Sequence, residues 1–180
     1  RDMDGINRLL CQVLAVHHEV RPDLFRKDTK KYTDEELLTL IRDDARPVFV
    51  GVDAEEHVLG YAFCVFVRHT DDNILTDILT LYIDDLCVDE KRRGQHIGKK
   101  LYEYVLAFAK SQGCHNVTLN VWACNEGARR FYESCGTTRR TKSFSACRRT
   151  ATISNPIITF PVIPNPGWKR IPMWFFLIMK

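Results

Sequence analysis

Residues 89–101, DEKRRGQHIGKKL, decide the fold, because they connect two stretches of different periodicity through a basic turn that contains glycine. The preceding residues 78–88 are rich in β-branched and aliphatic side chains, which is typical of a strand. After the turn, apolar side chains recur at helical spacing, at Ile97, Leu101, Tyr104, Val105 and Phe108. The sequence therefore predicts a strand, a loop and a helix in this order.

The loop between this strand and this helix has the composition of an anion-binding turn. Its backbone N–H groups can converge on a ligand around Gly94 and Gly98, and the helix N-terminus adds a favourable electrostatic field. Lys99 and Lys100 lie in the first helical turn. In physical terms this is a pyrophosphate cradle, although an ordinary glycine-containing turn that binds nothing has the same local pattern. The spacing alone leaves both interpretations open.

Two widespread phosphate-binding loops do not match these residues. The pattern GxxxxGK[ST] is absent, because Gly94 and Gly98 are too close together and Lys99 precedes another lysine. A Rossmann loop would need three glycines in the pattern GxGxxG and an early βαβ unit. The loop therefore belongs to a different class of fold.

The rest of the chain alternates between helical and extended patterns as far as Gly136. Thr33 and Glu36 form a capping-box signature, and Asn125 is an N-cap candidate. The order α-α-β-β-β-α-β-α indicates an α/β (α+β) sandwich with a mixed sheet. The predicted helices run from Asp2 to about Val20, after Thr33, from Ile97 to Ser111 and after Asn125, and the predicted strands are residues 47–52, 58–68, 78–88 and 117–122.

Composition limits the classes of protein that the chain can belong to. Its 180 residues, 45% of them hydrophobic, suffice for one globular domain with a core. A net charge of +3 is too small to favour nucleic acid as the main partner. No run approaches the roughly 20 apolar residues that span a bilayer. The first ten residues, RDMDGINRLL, are charged where a secretory signal is apolar. We therefore expect a cytoplasmic protein with no membrane partner.

The cysteines and histidines do not form a recognisable ligand pattern. Seven cysteines are scattered without CxxC spacing, so we expect reduced thiols that act as small hydrophobic residues. The sequence His17-His18-Glu19-Val20 is not a metal-binding motif. We predict no metal site.

Two motifs together resemble the GNAT family of N-acetyltransferases. Residues 93–98, RGQHIG, are similar to the family's loop R/Q-x-x-G-x-G/A, with His96 in place of the first motif glycine. A histidine there is expected to need a positive φ, which histidine tolerates better than bulkier residues. The second family motif, N-x-x-A-x-x-F-Y-x-x-x-G, is matched by Asn125, Ala128, Phe131, Tyr132 and Gly136. The stretch from Leu81 to Gly136 thus resembles the family's cofactor-binding half.

This resemblance implies a fold and a co-substrate. The expected fold is a three-layer GNAT-like sandwich, a mixed sheet with helices on both faces. The expected co-substrate is acetyl-CoA, without a metal. Backbone groups near the end of the third strand would pair with the pantetheine arm, the loop and the first helical turn would hold the pyrophosphate, and one asparagine would meet the pantetheine region. The residues that match these positions are Leu86, Cys87 and Val88, then Arg93, Gly94, Gln95, His96, Ile97, Gly98 and Lys99, and finally Asn125.

The resemblance also implies catalytic roles. Tyr132 matches the family's usual proton donor to the departing CoA thiolate, and the alternative is a packed helix aromatic. The sequence YIDDLCV resembles the L-E-D-F-F-V stretch of diamine (spermidine/spermine) acetyltransferases, in which the first acid is the base. Asp84 is therefore the candidate base and Asp85 the candidate for binding a cationic amine. The alternative for each is an acid at a loop edge or a helix cap.

In the family, the early helices cover the acceptor site. Residues 21–25, RPDLF, are similar to a segment that follows the first helix in bacterial members. His17, Glu19 and Phe25 are accordingly expected to line that pocket, and a simple amphipathic helix that ends near a proline explains them as well.

The ends of the chain depart from the family pattern. We expect a domain at residues 1–136 whose opening strand is missing, and an atypical tail at residues 137–180 that is first basic and then proline-rich and apolar. The change of composition after Gly136 suggests a gene fusion or a shifted reading frame.

Three functions remain for comparison. The first is transfer of an acetyl group to a primary amine of a small molecule or peptide. Because the family is often dimeric, a homodimer is one candidate assembly, and the sequence does not fix the oligomeric state. The second is a degenerate CoA-binding regulatory module without turnover. The third is nucleic-acid binding through a basic cluster in the tail, which we disfavour because stacking aromatics are not interleaved with it. That cluster comprises Arg139, Arg140, Lys142, Arg148 and Arg149.

Overall fold

The computed structural model describes residues 2–27, 29–68, 74, 76–122, 125–140, 150–156 and 169–172, the last three strands as backbone alone. The elements are α1 (Met3–Val20), α2 (Asp34–Arg42), β1 (Val48–Val52), β2 (Val58–Arg68), β3 (Leu79–Val88), a 3-10 helix (Glu90–Arg92), α3 (Ile97–Ser111), β4 (Asn116–Trp122), α4 (Glu126–Ser134), β5 (Thr138–Arg140), β6 (Thr150–Pro156) and β7 (Lys169–Pro172). The predicted order from α1 to α4 is confirmed. The polar residues 69–76, whose composition predicts a loop, lie largely outside the described residues.

The strands form one mixed sheet in the order β5-β6-β4-β3-β2-β1-β7. β3 pairs with β4 and β1 pairs with β7 in parallel, and the β1–β2, β4–β6 and β5–β6 pairs are antiparallel. β1 and β2 form an antiparallel hairpin, as two apolar runs joined by the polar turn at residues 53–57 predict. β5, β6 and β7 lie in residues 137–180, which the sequence assigns to a tail, and the division into domain and tail stays a prediction.

The chain divides into two compact units. The first unit comprises Arg1–Phe63, Asp85–Tyr104 and Pro166–Lys180, and the second comprises Cys64–Asp84 and Val105–Asn165. The boundaries pass through β2, β3 and α3.

The core of the first unit shows why helices occupy both faces of its sheet. Apolar side chains of α1 and α2 pack with Val50, Val52 and Tyr61. Successive side chains of a strand point to opposite faces, and Phe49 contacts Tyr104 of α3, with 5.6 Å between the ring centroids. The two early helices and α3 therefore lie on opposite sides, which confirms the predicted three-layer arrangement.

The start of α2 is held by the predicted capping box. Thr33 Oγ1 accepts a hydrogen bond from the Glu36 N–H at 3.2 Å, and Glu36 Oε2 accepts one from the Thr33 N–H at 2.8 Å. This reciprocal pair satisfies backbone donors that a helix leaves unpaired at its first turn. It fixes the end of the connection between α1 and α2.

In the second unit, β4 alternates buried and less buried residues, as a strand with one core face does. Val117, Leu119 and Val121 are buried. The ladder between β3 and β4 ends at Ile83 and Leu119, whereas the ladder between β4 and β6 continues to Trp122. Within the described parts of the chain, no helix is both long enough and apolar enough to cross a membrane.

Candidate active site

The loop after β3 begins at a buried aspartate. The Asp89 N–H donates to Leu59 O at 2.9 Å, and the carboxylate accepts from the Lys91 N–H at 3.1 Å and from the Arg8 guanidinium. Burial of this carboxyl opposes its ionisation, but the bonds from Arg8 and Lys91 outweigh burial and hold its pKa below the ordinary value. Asp89 therefore ties the 3-10 helix to the end of the strand as an ionised group.

Helix α1 makes two further contacts at the start of the loop. Arg8 also donates to Val58 O at 2.9 Å, and Gln12 Oε1 accepts from the Glu90 N–H at 3.2 Å. Arg8 and Gln12 lie one helical turn apart, on one side of α1. The start of the loop is thus fixed by a helix that precedes it by about 80 residues in sequence.

The loop itself contains two left-handed residues. Gly94 has φ 81° and His96 has φ 60°, so the positive φ expected of His96 is observed. A Cβ added to Gly94 would meet no protein atom within 4 Å, so the space outside this residue is open. His96 closes the loop against α3, where its carbonyl accepts the Lys100 N–H at 3.0 Å.

The first turn of α3 presents donors to that loop. Because the Lys100 N–H makes the bond to His96, the amides of Ile97, Gly98 and Lys99 precede the first bond of the helix ladder. The turn carries two lysines and no acidic residue. A helix N-terminus with a basic first turn favours an anion.

The end of β3 offers backbone rather than a reactive side chain. Leu86 and Val88 are half-buried and Cys87 is buried. Burial, with a contribution from the Asp85 charge, raises the pKa of the Cys87 thiol to about 12. Cys87 Sγ donates to Leu9 O at 3.8 Å. The thiol is therefore protonated at neutral pH and packed in the core.

The two acids of β3 differ in exposure. Asp84 is exposed, whereas Asp85 is half-buried on the face of the buried residues Ile83 and Cys87, as alternation predicts. Tyr61 of β2 donates its hydroxyl to Asp85 Oδ2 at 3.0 Å, and Lys31 Nζ lies 3.9 Å from the same oxygen. Burial and the Asp85 charge raise the pKa of Tyr61, so its hydroxyl remains a donor.

The connection after α1 packs on the end of that helix. The His17 and Phe25 rings are 4.9 Å apart, and His18 Nδ1 lies 2.7 Å from Phe25 O. Burial lowers the pKa of His17, the Asp85 charge opposes this, and the Lys31 charge lowers it further. His17 is thus electrostatically coupled to the groups around Asp85, whereas Glu19 is exposed.

In the second unit, Asn125 Oδ1 accepts from the Ala128 N–H at 3.0 Å, which confirms the predicted N-cap of α4. Tyr132 is buried, with 6% of its surface exposed, and its ring lies 4.9 Å from that of Phe131. This environment fits both a packed aromatic and a proton donor, so its role stays a prediction. Asn120 Nδ2 donates to Tyr82 Oη at 3.1 Å.

Sequence reasoning missed Arg8, Tyr61 and Lys31. The alternation of β2 carries a signal for Tyr61, because a tyrosine in an apolar strand needs a partner for its hydroxyl. Arg8 and Lys31 carry none, since a surface cation looks the same whether or not the fold brings an acid to it.

Among the described residues, one cluster brings together three side chains of types that can bind a metal ion. Ligand atoms of Asp53, Glu55 and His57 lie within 4.8 Å of one another in the turn between β1 and β2. Asp53 accepts from the His57 N–H at 2.7 Å, which is a bond of the turn itself. The described cysteines, Cys11, Cys64, Cys87, Cys114 and Cys135, are free thiols.

Residues 13–137 match the model of the acetyltransferase (GNAT) family. The chain belongs to this family. Family members are acyl-CoA N-acyltransferases, so the match confirms the resemblance that the loop and the α4 motif indicated. The match ends one residue after Gly136.

Individual relatives agree with this assignment. Glucosamine 6-phosphate N-acetyltransferase of Arabidopsis thaliana is 36% identical over 64 residues, which are 36% of this chain and 41% of that protein. Human N-acetyltransferase 8B is 31% identical over 128 residues, 67% of this chain and 55% of that protein. The chain therefore spans about half the length, or less, of these curated relatives.

A solved structure shows the same fold over most of the chain. A tetramutant of the BH1408 protein from Bacillus halodurans superposes with a TM-score of 0.76 at 30% identity. The match covers 81% of this chain and 93% of that protein. The GNAT fold is thus confirmed for the greater part of the chain.

Proposed function

We propose that the protein transfers the acetyl group of acetyl-CoA to a primary amine of a small molecule or peptide. One observation carries the proposal: Gly94 and His96 are both left-handed immediately before a helix whose first turn is basic. Membership of the GNAT family supports the CoA pyrophosphate as the anion.

The pyrophosphate is assigned to residues Arg93–Gly98 and to Lys99. A turn with left-handed residues directs successive backbone N–H groups to one side and forms a concave site for an anion. Backbone amides need no particular side chain at His96, provided that this residue reaches a positive φ, as it does. This favours a competent loop over a degenerate one, although the sequence departs from the motif there.

The remaining roles follow from the family. Backbone groups of Leu86, Cys87 and Val88 are assigned to the pantetheine arm, and Asn125 to the same region. The amine nitrogen attacks the thioester carbonyl, the C–N bond forms and the C–S bond breaks. The amine proton passes through water to Asp84, and Tyr132 donates a proton to the sulfur and is reprotonated from solvent. Asp85 binds a cationic group of the acceptor.

The proposal is tested in two steps with the full chain. Titration calorimetry measures binding of acetyl-CoA, and a thiol reagent measures release of CoA with a panel of alkyl amines, amino sugars and peptides. We expect binding in the micromolar range and amine-dependent release. Absence of binding contradicts the cradle, and binding without release for any amine favours the regulatory module.

A further inference from the structure

Asp85 contacts residues of the sheet and of the connection between α1 and α2, all in the first unit. The contact from the sheet is made by Tyr61 of β2. Tyr61 is fully buried, its ring stacks on that of Phe63 with 4.7 Å between centroids, and its hydroxyl bonds Asp85 Oδ2 at 3.0 Å. One Asp85 carboxylate oxygen is therefore held by the Tyr61 hydroxyl, and stacking on Phe63 fixes the tyrosine ring.

The hydrogen bond from the Tyr61 hydroxyl does not neutralise the negative charge of Asp85. Its side chain is only 14% exposed, on a strand face that is otherwise apolar. A carboxylate removed from water is stabilised by a hydrogen bond, but a neutral donor does not cancel its charge. The site therefore favours a cation next to Asp85.

Lys31 places a cation beside Asp85 without a close hydrogen bond to Oδ2. Its Nζ lies 3.9 Å from Asp85 Oδ2, beyond the about 2.8 Å of a charge-assisted hydrogen bond. The side chain is 38% exposed and belongs to the connection between α1 and α2 rather than to a helix or strand. Its Nζ also lies over the Tyr32 ring, 5.2 Å from the centroid.

We propose that Lys31 is a displaceable occupant of a subsite for organic cations, formed by Asp85, Tyr61 and the Tyr32 ring, and that a cationic group of the acceptor replaces its ammonium there. A carboxylate beside an aromatic face is the chemistry that recognises an alkylammonium ion. The lysine side chain is itself a primary alkylammonium, so it has the form of the ligand that the subsite accepts. The inference rests on the proposed function only in assigning this ligand to the acceptor.

Displacement has a consequence for specificity. Two cations beside one carboxylate repel each other, so an acceptor cation and the Lys31 ammonium compete for the subsite. Neutral groups of similar shape cannot replace the ammonium, because they leave the Asp85 charge without compensation. Lys31 thus acts as a specificity-determining residue that favours cationic acceptors and lowers their apparent affinity.

The first experiment requires no turnover. The full chain is labelled with a limiting amount of N-acetoxysuccinimide, and acetylation of Lys31 and Lys30 is followed by mass spectrometry. Tetramethylammonium chloride serves as the cation probe, and sodium chloride at equal ionic strength as the reference. We expect the probe to raise labelling of Lys31 about 2- to 5-fold, in line with the strength of a partly exposed ion pair.

Lys30 is the matched control within this experiment. It lies in the same connection and pairs with Asp34 at 3.3 Å on the surface, so the probe should leave its labelling unchanged. In Asp85→Asn, Lys31 should label rapidly with or without the probe. Unchanged labelling of Lys31, or an equal response of Lys30, would overturn the proposal.

The second experiment uses turnover with the best primary amine from the acceptor panel. Lys31→Met keeps the aliphatic stem, and we expect it to lower KM for a cationic acceptor about 2- to 5-fold while kcat and the KM for acetyl-CoA stay the same. Lys30→Met should change none of these constants. A higher acceptor KM in Lys31→Met would contradict displacement. If the wild type acetylates no amine, the proposed function fails, and the labelling experiment still tests the subsite.

Discussion

The two ends of α3 use left-handed residues for opposite purposes. After the helix, Gly113 has φ 71°, and hydrogen bonds from the Gly113 N–H to Lys110 O and from the Cys114 N–H to Ala109 O close the last turn. Before the helix, Gly94 and His96 are equally left-handed, yet they precede amides that lie outside the helix ladder. The same backbone conformation therefore closes the helix at one end and, in the proposed function, precedes the donors for the pyrophosphate at the other.

Replacing Gly94 and, separately, Gly113 is expected to give the largest difference between the two ends of α3. Gly94→Val and Gly113→Val each place a β-branched residue at a positive φ with no protein atom within 4 Å of the new Cβ. Each should cost about 1–2 kcal/mol of stability. We expect Gly94→Val alone to weaken acetyl-CoA binding, by about 1000-fold or more, because its side chain enters the proposed anion site. Calorimetry with folded samples checks this, and comparable affinities would move the pyrophosphate elsewhere.

A second prediction sharpens the distinction between binding and chemistry. If Tyr132 donates a proton to the thiolate, Tyr132→Phe should lower kcat about 100-fold and leave acetyl-CoA affinity within a factor of two. Steady-state kinetics and calorimetry measure the two quantities. Tyr104→Phe, which removes a hydroxyl from the aromatic pair with Phe49, is the control and should leave kcat unchanged. An unaltered kcat in Tyr132→Phe would leave Tyr132 as a packed aromatic.

A third prediction concerns the contacts from α1 that hold the loop before α3, to which we assign the pyrophosphate. Arg8→Met leaves the Asp89 carboxylate without its guanidinium, so we expect acetyl-CoA to bind about 10-fold more weakly and stability to fall by about 1–3 kcal/mol. Arg46→Met, at an exposed pair with Asp43, is the control and should change neither quantity. Adding Asp89→Asn to Arg8→Met should recover part of the stability. Unchanged binding in Arg8→Met would show that the loop keeps its shape without α1.

The smallest effect is a dependence on pH. The pKa of Asp89 is depressed in the folded protein, so its contribution to stability is present above its ordinary pKa of about 3.9 and is lost as pH falls through the folded value. The free energy of unfolding of Asp89→Asn should therefore lie below that of the wild type by about 1–3 kcal/mol at pH 7. The difference should vanish in acid.

Urea unfolding between pH 7 and pH 3 measures this difference. Asp44→Asn, at an exposed carboxyl, is the matched control for the substitution itself. A difference that stays constant over the whole pH range would mean that Asp89 stabilises the fold by packing or by neutral hydrogen bonds.

Much of the fold could be predicted because its signals are local. The capping box of Thr33 and the cap of Asn125 each depend on residues a few positions apart. The ligand loop was equally local, including the left-handed His96. Strand pairing is not local, and β5 and β7 carry no strand pattern in the basic and proline-rich composition after Gly136.

The candidate site was predictable only along single strands and loops. Alternation separated Asp84 from Asp85, but it did not reveal that Lys31 and Tyr61 meet Asp85, because these residues lie on other elements. The Arg8–Asp89 pair joins residues 81 positions apart. Such pairs depend on tertiary packing, and no periodicity in one sequence encodes them.

Helix α1 connects both parts of the site in the first unit, and its length has a consequence of its own. Arg8 fixes the start of the ligand loop, and His17 lies nine positions further along the same helix, coupled to Asp85. At about 1.5 Å per residue, the two positions are separated by about 14 Å along the axis. An α-helix does not stretch, so this spacing is a constant of the protein. A change of sequence in the connection beyond the helix therefore leaves this spacing unaltered.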